Sequence, residues 1–128
     1  MEFLVAFATD NGTSFMSRHF GDAKFYDIYK ISKTDTEFLE RVENTTEEEK
    51  QHADPEKAKG IVSLLKKKGV QVAVSKNFGP NIQRIKTVFV CIRIKEDLIE
   101  NGTKIIQNHL QPIYYEWLLN EKRDFLKL

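Results

Sequence analysis

The residues best suited to bind a ligand lie in two short runs that each contain a phenylalanine and a glycine. They are Arg18-His19-Phe20-Gly21-Asp22 and Lys76-Asn77-Phe78-Gly79-Pro80. A neutral imidazole can offer one ring nitrogen to a ligand, and a loop built around glycine can turn backbone N–H groups toward an anion. We therefore expect the two runs to form the two sides of one binding site.

His19 is open to two interpretations. As a ligand, its imidazole would bind a metal, with Gly21 and neighbouring N–H groups hydrogen-bonding an attached anion. As a structural residue, it would donate to a backbone carbonyl and fix the loop, because a lone histidine is a poor metal site. Arg18 beside it favours an anionic ligand over a bare cation, since a guanidinium attracts the former and repels the latter.

Other side chains that could bind a metal have simpler explanations. Cys91 lies inside the apolar run Val88-Phe89-Val90-Cys91-Ile92, which is typical of an inert core cysteine. Met16 is expected to fill a gap beneath the first run, although its thioether could serve as a soft ligand. His52 and His109 are predicted to face solvent.

A metal-dependent nuclease would need several carboxylates converging on two divalent cations. Asp10, Asp22 and Asp27 are available, but Asp10 precedes Asn11-Gly12, where a turn would recruit it. The later predicted strands offer no convincing partner, and the sequence contains no glycine-rich phosphate motif, Ser-His-Asp set or Cys-His pair. Nuclease activity is therefore the weakest functional interpretation.

The composition fits one soluble domain in a reducing compartment. The chain of 128 residues can bury a core without disulfides, and its single cysteine excludes an internal one. The N-terminal run has no basic leader and no segment could cross a bilayer, so we expect a cytoplasmic protein without a membrane partner.

The charges are distributed unevenly along the chain. Residues 1–60 hold 8 basic and 13 acidic side chains, and residues 61–128 hold 12 basic and 6 acidic side chains. The one basic cluster, at 66–68, ends a predicted helix without interleaved aromatic residues, which argues against nucleic-acid binding.

Hydrophobic patterning predicts a mixed sheet with helices on both faces, a three-layer α/β/α sandwich. Five strands are expected, at residues 3–9, 24–31, 36–43, 70–75 and 86–92, with the second and third in a hairpin. Helices are expected at 55–69, 80–85, 96–111 and 113–125, and residues 44–54 read as an acidic, mobile linker. At least three strands should be parallel, which would bring both ligand-binding runs to the carboxyl edge of the sheet. We expect a single domain with a core at 1–110 and a C-terminal helical extension at 111–128.

Several motifs resemble one protein family, in the same order and at similar spacing, over roughly residues 3–108. They are Ala6-Phe7-Ala8-Thr9-Asp10-Asn11-Gly12, His19-Phe20-Gly21 with Ala23 and Lys24, Leu64-Leu65-Lys66-Lys67-Lys68-Gly69-Val70, Val72-Ala73-Val74, and Phe78-Gly79-Pro80 with Ile82. The chain is similar to the dinitrogenase iron-molybdenum cofactor biosynthesis family, which includes NifX, NifY and the C-terminal domain of NifB.

The resemblance implies a ribonuclease-H-like three-layer fold with no established catalysis of its own. It also implies the role that has been assigned to some members, which is to bind or carry iron-sulfur precursors of the nitrogenase cofactor. We accordingly expect a small carrier that binds an iron-sulfur cluster or iron-molybdenum cofactor precursor between the two runs, with His19 as the metal ligand. The expected contact residues are Arg18, His19, Phe20, Gly21, Asn77, Phe78, Gly79 and Pro80. The expected partners are cluster-assembly proteins, or a second copy bound through the C-terminal helix.

Three features depart from the family pattern. Arg18 stands where a glycine often precedes His-Phe-Gly, and the acidic linker with its single His52 replaces a histidine-rich insertion. The C-terminal helix also extends past the usual end. The alternative is therefore a protein interaction module of the same fold that binds no metal and uses the helix of Trp117.

Overall fold

The computed structural model describes residues 1–44 and 55–128, with side chains described for all of these except 55–59. The predicted linker, including His52, lies outside the described residues apart from Asn44. Within the described part, six strands form one sheet. They are β1 (Glu2–Thr9), β2 (Phe25–Ser32), β3 (Thr36–Glu43), β4 (Val72–Ser75), β5 (Val90–Arg93) and β6 (Leu126–Lys127).

The sheet has the order β3-β2-β1-β4-β5-β6. Strand β2 runs antiparallel to β1 and β3, which confirms the predicted hairpin, and β1, β4, β5 and β6 run parallel to one another. The carboxyl ends of the four parallel strands therefore lie at one edge of the sheet. The loops that follow β1 and β4 are neighbours at that edge, as the sequence predicted.

Helices cover both faces of the sheet, which confirms the predicted three-layer α/β/α arrangement. They are α1 (Pro55–Lys67), α2 (Ile82–Ile85), α3 (Ile99–Gln107) and α4 (Leu110–Leu118), with 3-10 turns at Phe20–Asp22, Gly79–Asn81 and Asn120–Lys122. One buried cluster joins Leu65 of α1 and Ile85 of α2 to one face of the sheet. A second cluster joins Ile106 of α3 and Ile113 of α4 to the other face. No helix in the described ranges has both the length and the apolar character that a bilayer crossing requires.

The prediction of five strands was wrong, because β6 is a sixth. It has only two residues, too few to show an alternating pattern, and it is defined by pairing with β5. The helix predicted at 113–125 ends at Leu118, after which Asn120 adopts a positive φ of 54°. The C-terminal segment beyond residue 110 is therefore a helix followed by a strand, not helical throughout.

Several further boundaries differ from the predictions: the helix predicted from residue 96 begins at Ile99 and the strand predicted from residue 70 begins at Val72. Two more differences have a clear physical cause. Pro112 does not separate two helices but lies in the first turn of α4, where its missing N–H would have no partner within the helix. The strand predicted from residue 86 begins at Val90, because the N–H groups of Lys86 and Phe89 still bond to the carbonyls of Ile82 and Ile85 (2.9 and 3.1 Å). Helical hydrogen bonding thus continues from α2 into residues 86–89, which the sequence predicted as the start of a strand.

Candidate functional site

The His19 and Gly79 loops are hydrogen-bonded to each other. His19 and Asn77 form an isolated parallel bridge, in which the N–H of Phe20 donates to the carbonyl of Asn77 at 2.9 Å. The side-chain amide of Asn77 donates to the carbonyl of Ser17, also at 2.9 Å. The two loops therefore form one continuous surface at the carboxyl edge of the sheet.

Two stacked phenylalanine rings support this surface from below. Phe20 and Phe78 are both buried, and their rings stack with centroids 5.2 Å apart and planes inclined by 19°. The hydroxyl of Tyr26 donates to the carbonyl of Phe20 at 2.7 Å, and burial raises the pKa of that phenol. Phe20 and Phe78, which the sequence analysis placed among the ligand contacts, have buried side chains that join the two loops through this stacking.

His19 lies against Gly79, and its imidazole is exposed. Gly79 has a φ of +71°, and a Cβ built on it would be 2.5 Å from Nδ1 of His19 and 2.7 Å from Cγ. Only a residue without a Cβ lets the ring approach this closely. Within the described residues the imidazole forms no hydrogen bond.

Arg18 is engaged within its own loop. Its guanidinium pairs with the carboxylate of Asp10 and donates to the carbonyl of Asp22. The N–H of Lys24 donates to the same carboxylate at 3.0 Å. Burial acts to raise the pKa of Asp10, but these hydrogen bonds and the charges of Arg18 and Lys24 hold it below its ordinary value. The charge of Arg18 is thus shared with Asp10.

The remaining predicted contacts flank the exposed imidazole. Gly21 lies in the 3-10 turn Phe20–Asp22, and a Cβ at this position would meet no atom within 4 Å. Pro80 is exposed at the start of the 3-10 turn Gly79–Asn81, which leads into α2. Neither position is crowded by a neighbouring side chain, so the surface around His19 is open to solvent on these two sides.

The other candidate ligands are not grouped with His19. Cys91 is fully buried, and that burial raises the pKa of its thiol to about 12. Met16 is buried in the same apolar cluster as Phe20. His109, predicted to face solvent, is half-buried, and its Nδ1 lies 2.7 Å from the carbonyl oxygen of Ile105. No group of three or more His, Cys, Asp or Glu side chains in the described ranges could hold a metal ion.

Two of the three carboxylates considered for nuclease chemistry, those of Asp10 and Asp27, are engaged in other contacts. Asp27 is buried and accepts two hydrogen bonds from Arg41, at 2.8 and 3.1 Å. Asp10 pairs with Arg18. A two-cation mechanism needs carboxylates that converge on open space, which neither of these pairs provides.

A basic depression of about 340 Å³ lies near the His19 loop, where β4, β5 and β6 end. Its lining consists of four cationic and two apolar residues, namely Lys76, Arg93, Lys95, Lys127, Ile94 and Leu128. We refer to it as the strand-end depression. The sequence interpretation missed it because these cations are distant in the chain and β6 was not predicted. Part of this cationic cluster could have been predicted, because Lys76 and Arg93 each lie at the carboxyl end of a predicted parallel strand.

Comparison with known proteins identifies the family of the chain. The family model described as dinitrogenase iron-molybdenum cofactor matches residues 1–88, which include both the His19 and the Gly79 loops. No curated protein matches the sequence. Because the match covers more than half of the chain, the chain belongs to the dinitrogenase iron-molybdenum cofactor family.

Proposed function

We propose that the chain is a small non-catalytic carrier that binds an iron-sulfur cluster, or a precursor of the iron-molybdenum cofactor, at the exposed His19 imidazole. Family membership relates the chain to biosynthesis of this cofactor. The observation that carries the proposal is an exposed imidazole that lies against Gly79 and is not hydrogen-bonded to any described residue. The ring nitrogens of His19 make no hydrogen bond to the described residues. They are therefore better suited to bind a ligand than to support the loop.

The surroundings of His19 favour a preassembled cluster over a bare metal ion. A single ion needs several protein ligands, and the described residues offer no group of three that could supply them. Iron-sulfur clusters in proteins are ordinarily held by four side-chain ligands, so a cluster bound at His19 would have to arrive assembled, with its other iron positions already closed by ligands of its own. No side chain crowds the surface at Gly21, so a bound cluster would meet no obstruction there, and a cytoplasmic location would keep it reduced.

Anaerobic reconstitution tests this role. Protein would be incubated with iron and sulfide, or with purified cofactor precursor, and bound iron and visible absorption would be measured after desalting. We expect wild type to retain a chromophore that His19→Ala loses. His109→Ala is the matched control, because that ring already contacts the carbonyl of Ile105, and His52→Ala removes the third histidine.

The comparison among these variants decides the outcome. Equal and low uptake by wild type and His19→Ala would contradict the carrier function. Equal and high uptake would show that the cluster binds without His19. A loss in His109→Ala as large as that in His19→Ala would point to adventitious binding by histidine.

A second candidate is an interaction module that binds a second copy of the chain through α4. Tyr115, Leu118 and Leu119 are exposed by 59%, 52% and 49%, so the end of this helix presents adjacent apolar side chains. Trp117 is not the contact residue in this proposal, because it packs against the core and the guanidinium of Arg123 lies 4.3 Å from its ring centroid.

Light scattering tests the second candidate. We expect a dimer that Leu118→Glu with Leu119→Glu converts to a monomer, while Glu121→Gln, which changes a charge beside the helix, leaves it a dimer. A monomeric wild type at all accessible concentrations would rule out self-association through α4.

A further inference from the structure

We propose that the strand-end depression is a binding site for a small, multiply charged oxyanion, a polyphosphate or a polycarboxylate. The site is separate from the exposed His19 imidazole and does not depend on the carrier function. Four of its six lining residues are cationic, and none of the six has an acidic side chain. Such a concave, predominantly positive surface concentrates anions more strongly than scattered lysines do.

Most of this positive charge is not neutralised within the described residues. Lys76 pairs with Asp97, whose side chain is 83% exposed. In the part of the chain that the structure describes, Arg93, Lys95 and Lys127 form no ion pair. The depression therefore keeps an excess of positive charge, which a bound anion would offset.

Strand pairing holds two of the cations in place. Arg93 and Lys127 are register partners on the parallel strands β5 and β6. Both lie by the ring of Phe125, with the Arg93 guanidinium carbon 5.6 Å and the Lys127 ammonium nitrogen 5.7 Å from its centroid. The N–H of Leu128 donates to the carbonyl of Arg93 at 2.9 Å and fixes the adjacent backbone. The charges are therefore positioned before a ligand arrives, which lowers the entropic cost of binding.

The size and lining of the depression favour a small molecule over a nucleic acid. Its volume of about 340 Å³ is at the lower end for small-molecule sites, which span roughly 300 to 1,000 Å³. Ile94 and Leu128 supply an apolar wall that would contact the carbon skeleton of an organic anion. A single-stranded nucleic acid would instead need an extended basic groove with aromatic side chains on which bases stack.

Calorimetric titration of the full chain with pyrophosphate and with citrate tests the proposal and separates the two chemical sources. We expect saturable binding of at least one of them with one-to-one stoichiometry, weakened by added salt because the contacts are charged. Lys95→Gln with Lys127→Gln, and separately Arg93→Gln, should each weaken binding about tenfold or more, as expected for loss of hydrogen bonds to charged groups. The double lysine variant changes exposed side chains only, so it keeps the test valid if Arg93→Gln fails to fold.

The matched control is Lys33→Gln, which removes the same charge from the turn between β2 and β3, at the opposite edge of the sheet. This variant and His19→Ala should both bind the anion as wild type does. The proposal is overturned if neither anion binds saturably, or if Lys33→Gln weakens binding as much as the lysine pair does. It is also overturned if a short single-stranded oligonucleotide binds through the same cations more tightly than either small anion.

Discussion

Gly79→Ala is the substitution that most directly tests the packing of His19. The wild-type glycine has a φ of +71°, and the His19 ring occupies the space where a Cβ would lie, with Nδ1 2.5 Å and Cε1 2.7 Å from the built position. An alanine would therefore meet two separate obstacles, one in its own backbone and one in the neighbouring ring. The two can be measured separately because only the second depends on His19.

The magnitudes follow from these two contributions. An L-residue in the left-handed region costs about 1–2 kcal/mol, and the stiffer unfolded chain returns roughly 0.4–1 kcal/mol of this. Contact with Cγ of His19 at 2.7 Å means that the ring cannot escape by turning its far end alone, and we assign about 1 kcal/mol to its displacement. Gly79→Ala should thus lower the free energy of unfolding by about 1–3 kcal/mol in wild type and by about 1 kcal/mol less in a His19→Ala background.

Urea denaturation of wild type, the two single variants and the double variant gives the interaction energy directly. Gly21→Ala is the matched control, since a Cβ there meets no atom within 4 Å, and it should be nearly neutral. An equal cost of Gly79→Ala with and without His19 would refute the contact between the ring and the glycine. A Gly21→Ala variant as unstable as Gly79→Ala would show that these loops tolerate no change at all, and the site argument would lose its basis.

Three further predictions test other contacts. Gly102→Ala in α3 should lower the free energy of unfolding, measured in urea, by about 1–3 kcal/mol, because the new Cβ would lie 2.7 Å from Cζ of Phe15. Alanine normally stabilises a helix by about 1 kcal/mol relative to glycine, so equal or higher stability of the variant would contradict this packing. The lowered pKa of Asp10 contributes stability that is fully present above its ordinary pKa of 3.8 and is lost as the pH falls through the lower pKa of the folded state. Arg18→Ala should therefore reduce the loss of stability on acidification. An identical dependence of stability on acid pH in wild type and variant would contradict the pairing. Cys91, with its pKa raised to about 12 by burial, should react with a maleimide only after unfolding, and rapid labelling of the native protein would contradict its burial.

The location of the candidate site was predictable from the sequence, whereas its internal contacts were not. His19 and Gly79 each follow an apolar run that reads as a buried strand, and parallel strands bring such loops to one edge. Nothing local to either run indicates that the ring of one lies on the backbone of the other, because that contact joins positions 60 residues apart. Arg18 illustrates the same limit: it read as a free cation, but the fold places the carboxylate of Asp10 beside it.

The C-terminal elements escaped prediction for a different reason. Strand β6 exists only as a partner of β5, so no periodicity within its two residues could reveal it. Nothing in the sequence distinguishes Arg123 from the other basic residues. In the structure it is 4% exposed and donates to the carbonyls of Trp117 and Thr87, both at 3.0 Å. Burial lowers the pKa of its guanidinium. The hydrogen bonds to two carbonyls and the nearby Trp117 ring offset part of the cost of burying this charge. Such a residue can be recognised only once its acceptors have been brought together.

The segment beyond the family match also supports the loop that carries His19. The match ends at residue 88, before β5, α3, α4 and β6. The N–H of Phe15 donates to the carbonyl of Asp97 at 2.8 Å, and the N–H of Ile99, at the start of α3, donates to the carbonyl of Thr13 at 2.9 Å. Phe15 in turn packs against Gly102 of that helix. The chain between β1 and His19 is therefore held by residues outside the matched span, so the geometry of the candidate site depends on both parts of the chain.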